Sequence, residues 1–156
     1  MAVPLPDQSA DAVWLSLVLH HIPDLEAAAH EIRRVLRDGA PLLIRQGFPG
    51  RLDRVENVRW FPETARAVAS YPSVEETCEA FAAAGFRKEA LEQVPETYSA
   101  TLADFLGQVD MLRQADTTMR VLTDDEFLRG KERLRRAVEA GKLEARSNWL
   151  DLLVLR

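Results

Sequence analysis

The sequence predicts an α/β fold, and three stretches near its start predict it. AVWLSLVL, residues 12–19, is a nearly continuous apolar run. DLEAAAHEIRRVLRDG, residues 24–39, repeats apolar positions at helical spacing, and PLLIR, residues 41–45, is a second apolar run close behind. Unbroken rather than alternating apolarity marks a strand covered on both faces. Strand, helix and strand with tight joins form a crossover unit whose strands pair in parallel.

The elements follow in order. Turn-forming Pro6, Asp7 and Ser9 lead into the first strand, and Pro23 stops it. The helix buries Leu25, Ala28, Ala29, Ile32, Val35 and Leu36 on one face. Asp24 suits its N-cap, Glu26 its positive end, Arg33, Arg34 and Arg37 its negative end, and Gly39 its stop. Residues 46–72 hold two Gly, three Pro and four large aromatics, and read as an active-site-type loop with one or two helical turns. Ser73 and Glu76 then form a capping box for a helix that buries Val74, Cys78, Phe81 and Ala82 and closes at Gly85. FRKEALEQV, residues 86–94, reads as an edge strand. Leu102, Phe105, Leu106, Val109 and Leu112 share one face of an amphipathic helix. Thr123 and Glu126 make a second capping box for a helix through Ala140, ended by Gly141, and NWLDLLVLR closes the chain as an apolar strand. An alternation of this kind belongs to the α/β class.

Composition narrows the function. The 156 residues suffice for one domain, and 47% apolar with 29% charged is the balance of a globular chain rather than a disordered one. A net charge of −5 with scattered Lys and Arg argues against nucleic acid as a partner. The single cysteine, Cys78, cannot make an internal disulfide, and no run reaches the roughly 18 apolar residues of a membrane span. With no signal-peptide pattern, a cytoplasmic protein without a membrane partner is expected.

PLPDQSADAVWLSLVLHHIPDLEAAAHEIRRVLRDGAPLLIR resembles the middle of the class I S-adenosylmethionine-dependent methyltransferases, particularly the small-molecule, type 11-like group. The matching positions are Leu5, Pro6, Asp7, Asp11, Val13, Leu19, His20, His21, Asp24, Glu31, Arg34, Val35, Leu36 and Gly39. Asp38 and Ala40 depart from the Pro and second Gly usual there. The resemblance implies a partial Rossmann-like sheet, equivalent to strands 4-5-7-6 of that family, with helices on both faces and the last strand antiparallel. It implies a single truncated domain, with a βαβ core at 1–45, a loop or lid at 46–72, and C-terminal helices and strands at 73–156. The Gly-rich turn that holds the family's cofactor is not in the sequence: glycines fall at 39, 47, 50, 85, 107, 130 and 141, and no G-x-G occurs.

Two expectations follow. Without a neighbour for the strand at 12–19, buried backbone groups would go unpaired at about 1–3 kcal/mol each, against a total stability of about 5–15. A homodimer through that strand, or a separate front-half chain, is therefore expected to cover it. S-adenosylmethionine is the implied cofactor, and its binding by this chain alone is expected to be weak or nil. A non-catalytic dimerisation or interaction module, a fragment of a longer enzyme and a misassigned start are the alternatives to a small-molecule methyltransferase.

The motif match assigns Ser16 and Leu17 to cofactor binding and His20 and His21 to catalysis beside the methyl acceptor. Arg45, Gln46 and Phe48 follow the carboxyl end of the second strand, where open α/β sheets place ligands, and with Trp60 they are expected to bind substrate. Trp60, Phe61 and Tyr71 make an aromatic wall or simply cover the core. Arg45 neutralises a substrate carboxylate or pairs with a nearby Asp. In the plain packing alternative, Leu17 and Leu19 are core and one histidine caps the following helix. Adjacent residues on a strand face opposite ways, so His20 and His21 are not expected to share a metal. Ser16 lacks the turn context of a hydrolase nucleophile.

Overall fold

The structure is a computed structural model that describes residues 2–142 and 146–156. Its elements are β1 (Val13–Ser16), a 3₁₀ turn (Leu19–His21), α1 (Leu25–Val35), β2 (Leu42–Gln46), α2 (Glu56–Trp60), a second 3₁₀ turn (Pro62–Thr64) and α3 (Ala65–Val68). α4 (Val74–Ala82), β3 (Lys88–Ser99), α5 (Leu102–Ala115), α6 (Asp124–Glu139) and β4 (Arg146–Leu155) complete it.

The four strands form one sheet in the order β1-β2-β4-β3. β1 pairs in parallel with β2, Val13 opposite Leu42 and Ser16 opposite Arg45. β4 runs antiparallel to β2, Leu42 opposite Leu155 and Gln46 opposite Asp151. The last strand thus enters the middle of the sheet and leaves β3 at one edge and β1 at the other, as the 4-5-7-6 order requires. β1 is shorter than the apolar run at 12–19, because the backbone turns at Leu17, whose φ is +56°.

The local signals behave as their chemistry demands. The Asp24 carboxylate accepts from the Ala27 N–H at 2.9 Å and caps α1. Ser73 with Glu76, Thr101 with Asp104 and Thr123 with Glu126 form reciprocal capping boxes at the starts of α4, α5 and α6. At the end of α4, Gly85 takes φ +83° and the chain closes with Phe86 N–H to Phe81 C=O and Gly85 N–H to Ala82 C=O. That paired closure needs a left-handed residue, which glycine adopts without a Cβ clash. The loop at 46–72 is more ordered than its composition predicts, with α2, a 3₁₀ turn and α3 in succession.

The chain divides into two compact units. Residues 1–49, 71–94 and 151–156 form the first, whose core joins Leu19, Ile32, Leu36, Leu42, Ile44, Phe48, Phe81, Phe86 and Leu153. α1 packs on α4 there, and the Arg33 guanidinium lies 3.7 Å over the Phe86 ring. Residues 50–70 and 95–150 form the second, with a core of Trp60, Phe61, Leu102, Phe105, Val109, Met119, Phe127 and Leu134.

Candidate active site

The carboxyl ends of β1 and β2 lie side by side, and the Leu17 N–H donates to the Arg45 carbonyl at 2.9 Å. Leu17 is a large residue held in the left-handed region with its side chain 46% exposed. This conformation costs roughly 1–2 kcal/mol for an L-residue and is the kind of strain that collects at functional sites. Immediately after it, Val18, His20 and His21 enter the 3₁₀ turn, where the His21 N–H bonds the Val18 carbonyl at 2.9 Å.

The histidine pair departs from its expected placement. It does not continue β1, so the two rings do not face opposite sides of a sheet. A tighter 3₁₀ backbone brings them together, with centroids 4.0 Å apart and planes tilted by 45°. Tyr71 stacks on the other side of His20 at 4.0 Å, nearly coplanar at 8°. Gln46, at the end of β2, places its Oε1 3.5 Å from His20 Nδ1, and its side chain is 1% exposed. An amide oxygen only accepts, so a hydrogen bond at this contact is the one made by the Nδ1–H tautomer. His20 Nε2 and the Gln46 side-chain nitrogen are both buried and have no protein partner. Burial pulls the His20 pKa below its ordinary value; the Gln46 contact opposes this, and the neighbouring His21 adds to it. The imidazole is accordingly neutral at neutral pH, with a lone pair on Nε2.

The other expected residues divide between site and core. Ser16 Oγ accepts from Arg45 Nε at 3.1 Å, so these two side chains share one side of the site rather than standing apart. Phe48 is fully enclosed in the first unit's core. Trp60 belongs to the second unit, 7% exposed, with its indole N–H donating to Glu56 Oε1 at 2.5 Å. Phe61 is equally buried there, and of the three aromatics only Tyr71 meets a histidine. Leu19 is core, as the packing alternative has it, whereas Leu17 is exposed and Asp24, not a histidine, caps α1. Asp151 was not anticipated: it is 1% exposed and sits opposite Gln46 in the β2–β4 register. A lone carboxylate inside the apolar stretch LDLLVL was the available signal.

Similarity to known proteins agrees with this geometry. Residues 1–44 match a family described as "Methyltransferase domain". The chain is 33% identical over 101 residues to 27-O-demethylrifamycin SV methyltransferase of Amycolatopsis mediterranei, covering 62% of this chain and 36% of that protein. Among solved structures, a putative methyltransferase from an antibiotic biosynthesis pathway of Anabaena variabilis superposes with TM-score 0.69 at 18% identity, over 99% of this chain and 69% of that one. The [4+2]-cyclase SpnF shares the fold at TM-score 0.52 and 20% identity, over 99% of this chain and 52% of that one. The chain therefore spans about a third of the curated relative. Family match, relative and fold together identify a class I S-adenosylmethionine-dependent methyltransferase fold.

No helix among the described residues is long and apolar enough to cross a membrane.

Proposed function

We propose that this chain supplies the acceptor side of an S-adenosylmethionine-dependent methyl transfer to a small molecule, with His20 receiving the acceptor's proton. The observation that carries the reading is the neutral, half-buried His20 ring, whose buried Nε2 has no protein partner among the described residues and which stands where the parallel strands end. When bound, S-adenosylmethionine supplies an electrophilic methyl group on a sulfonium. The residues present fit the transfer end of that cofactor: a lone pair at His20 and an unpartnered amide NH₂ on Gln46 are what a polar acceptor or an amino-acid moiety needs. They do not include a Gly-rich turn for the adenosine.

On this reading Ser16 and Leu17 border the cofactor, and His21 supports the His20 ring from the same turn. Arg45 and Gln46 orient the acceptor and Phe48 backs them from the core, while Trp60 lies in the core of the second unit. The curated relative's name makes the hydroxyl of a demethylrifamycin-like small molecule the first acceptor class to try. Transfer of labelled methyl to such acceptors tests the proposal. General-base assistance contributes typically 10²–10⁴-fold, so His20→Ala is expected to lower kcat by about that factor if the reading holds. Transfer unaffected by His20→Ala overturns the role of His20, and calorimetry against S-adenosylmethionine decides whether this chain holds the cofactor unaided.

A second reading, an assembly module that has kept the fold, is favoured by the free edge of β1 and its exposed Trp14, Leu17 and Val18. On this second reading a strand from a second copy or from a separate chain lies beside β1. A cytoplasmic setting suits a chain whose one thiol, Cys78, is raised in pKa by burial and pairs with nothing.

A further inference from the structure

We propose that Gln46 is a positioning residue, whose Oε1 fixes the His20 imidazole in the Nδ1–H tautomer so that Nε2 remains the proton acceptor. The role assigned to Nε2 rests on the proposed methyl transfer, but the tautomer itself does not. Three observations converge on it. Gln46 is locked, since its side chain is 1% exposed at the end of β2, between β1 and β4 in the sheet. Among the described residues its oxygen is the polar atom paired with the ring, at 3.5 Å from Nδ1, while Nε2 is buried and has no partner there. Finally, the ring cannot readily rotate out of this arrangement, because Tyr71 stacks at 4.0 Å on it and His21 closes on it at 4.0 Å.

Glutamine at this position sets the tautomer without the negative charge that aspartate or glutamate would bring. A carboxylate beside Nδ1 would favour the imidazolium, and a ring already protonated accepts nothing. A neutral amide sets the tautomer and leaves the ring basic but uncharged. The titratable groups facing His20 are His21 from its own turn and Tyr71 stacked upon it; β2 contributes the neutral amide. When the acceptor's O–H or N–H bond breaks, its electrons stay on the acceptor atom, which would bond to the methyl carbon as the methyl–sulfonium bond breaks and its electron pair passes to sulfur, leaving a neutral thioether. The proton bonds to Nε2, giving an imidazolium that later returns it to water.

The test needs no cofactor. Long-range ¹H–¹⁵N spectra of the imidazoles in the full chain should place the proton of neutral His20 on Nδ1 and its titration below the ordinary histidine range. Gln46→Met, similar in volume and without the acceptor, should lose that tautomer preference. Gln46→Glu should restore it and move the titration midpoint up by about one pH unit. A wild-type ring protonated on Nε2 overturns the proposal, as does a Gln46→Met spectrum unchanged in tautomer. Should Gln46→Met not fold, the wild-type tautomer and the Gln46→Glu midpoint decide it alone. A methyl-transfer assay that fails beside a confirmed tautomer would overturn the proposed function instead, so the two failures are distinguishable.

Discussion

A methyl group added at Gly130 would lie 2.1 Å from Phe61 Cδ1 and 2.3 Å from Cε1. Phe61 is fully buried in the second unit and stacked on Phe127 at 5.8 Å. Overpacking of this kind costs typically about 1–3 kcal/mol, while the gain in helix propensity on replacing glycine by alanine is about 1. Gly130→Ala is therefore expected to lower stability by up to about 2 kcal/mol in urea denaturation, against the direction propensity alone predicts; a stabilised variant would contradict the packing. The same contrast between local preference and tertiary demand governs His20. Nothing within several residues of it reveals its partners, because Gln46 lies 26 positions away and Tyr71 further still. The pair of histidines was legible as chemistry; their convergence on one another was not, since it depends on a 3₁₀ turn in place of continued strand.

At the scale of elements, helix starts were the most legible features. Ser73 with Glu76 and Thr123 with Glu126 close their hydrogen bonds within four residues, so the pattern carries its own geometry. Several helices are further tied by ion pairs that depress carboxylate pKa values. Glu31, beside Arg34 and accepting from the Val3 N–H, falls from 4.5 to about 2. Glu126, gripped by Arg66 and by the Thr123 N–H, and Glu132, between Arg135 and Arg136, fall to about 2 as well. Their folded-state values lie below those of the unfolded chain, so their contributions are complete above about pH 4.5 and fade as pH falls towards about 2. Thermal melts across that window should show Tm decreasing with acidification. Removing Arg34, Arg66 and Arg135 together should make the decline shallower, though modestly, because these pairs are solvent-exposed and screened.

Across the whole molecule the sheet is the decisive feature, and its β1 edge carries the remaining prediction. Period-2 alternation, with the Val13 and Leu17 N–H groups turned to β2, leaves those of Trp14 and Ser16 on the open side. Trp14 is 52% exposed, Leu17 46% and Val18 39%, an apolar strip beside unpaired backbone. Light scattering is expected to find an assembly larger than one chain, and Trp14→Glu to dissociate it; a monomer in both proteins would sink the idea that a second copy covers this edge.

The order of strands and helices, the parallel β1–β2 pair and the α/β class were fixed by the chain's own pattern, because continuous apolar runs, helical spacing and capping residues act over short distances. Insertion of β4 between β2 and β3 was anticipated from family resemblance, not from periodicity, which cannot say which strands are neighbours. Only tertiary structure decided that Phe48 and Trp60 serve two separate cores, that Asp151 is enclosed opposite Gln46, and that Gln46 and Tyr71 meet His20. Each of those outcomes joins residues far apart in sequence, and their pairing becomes favourable only after the sheet and helices have removed water from the space between them.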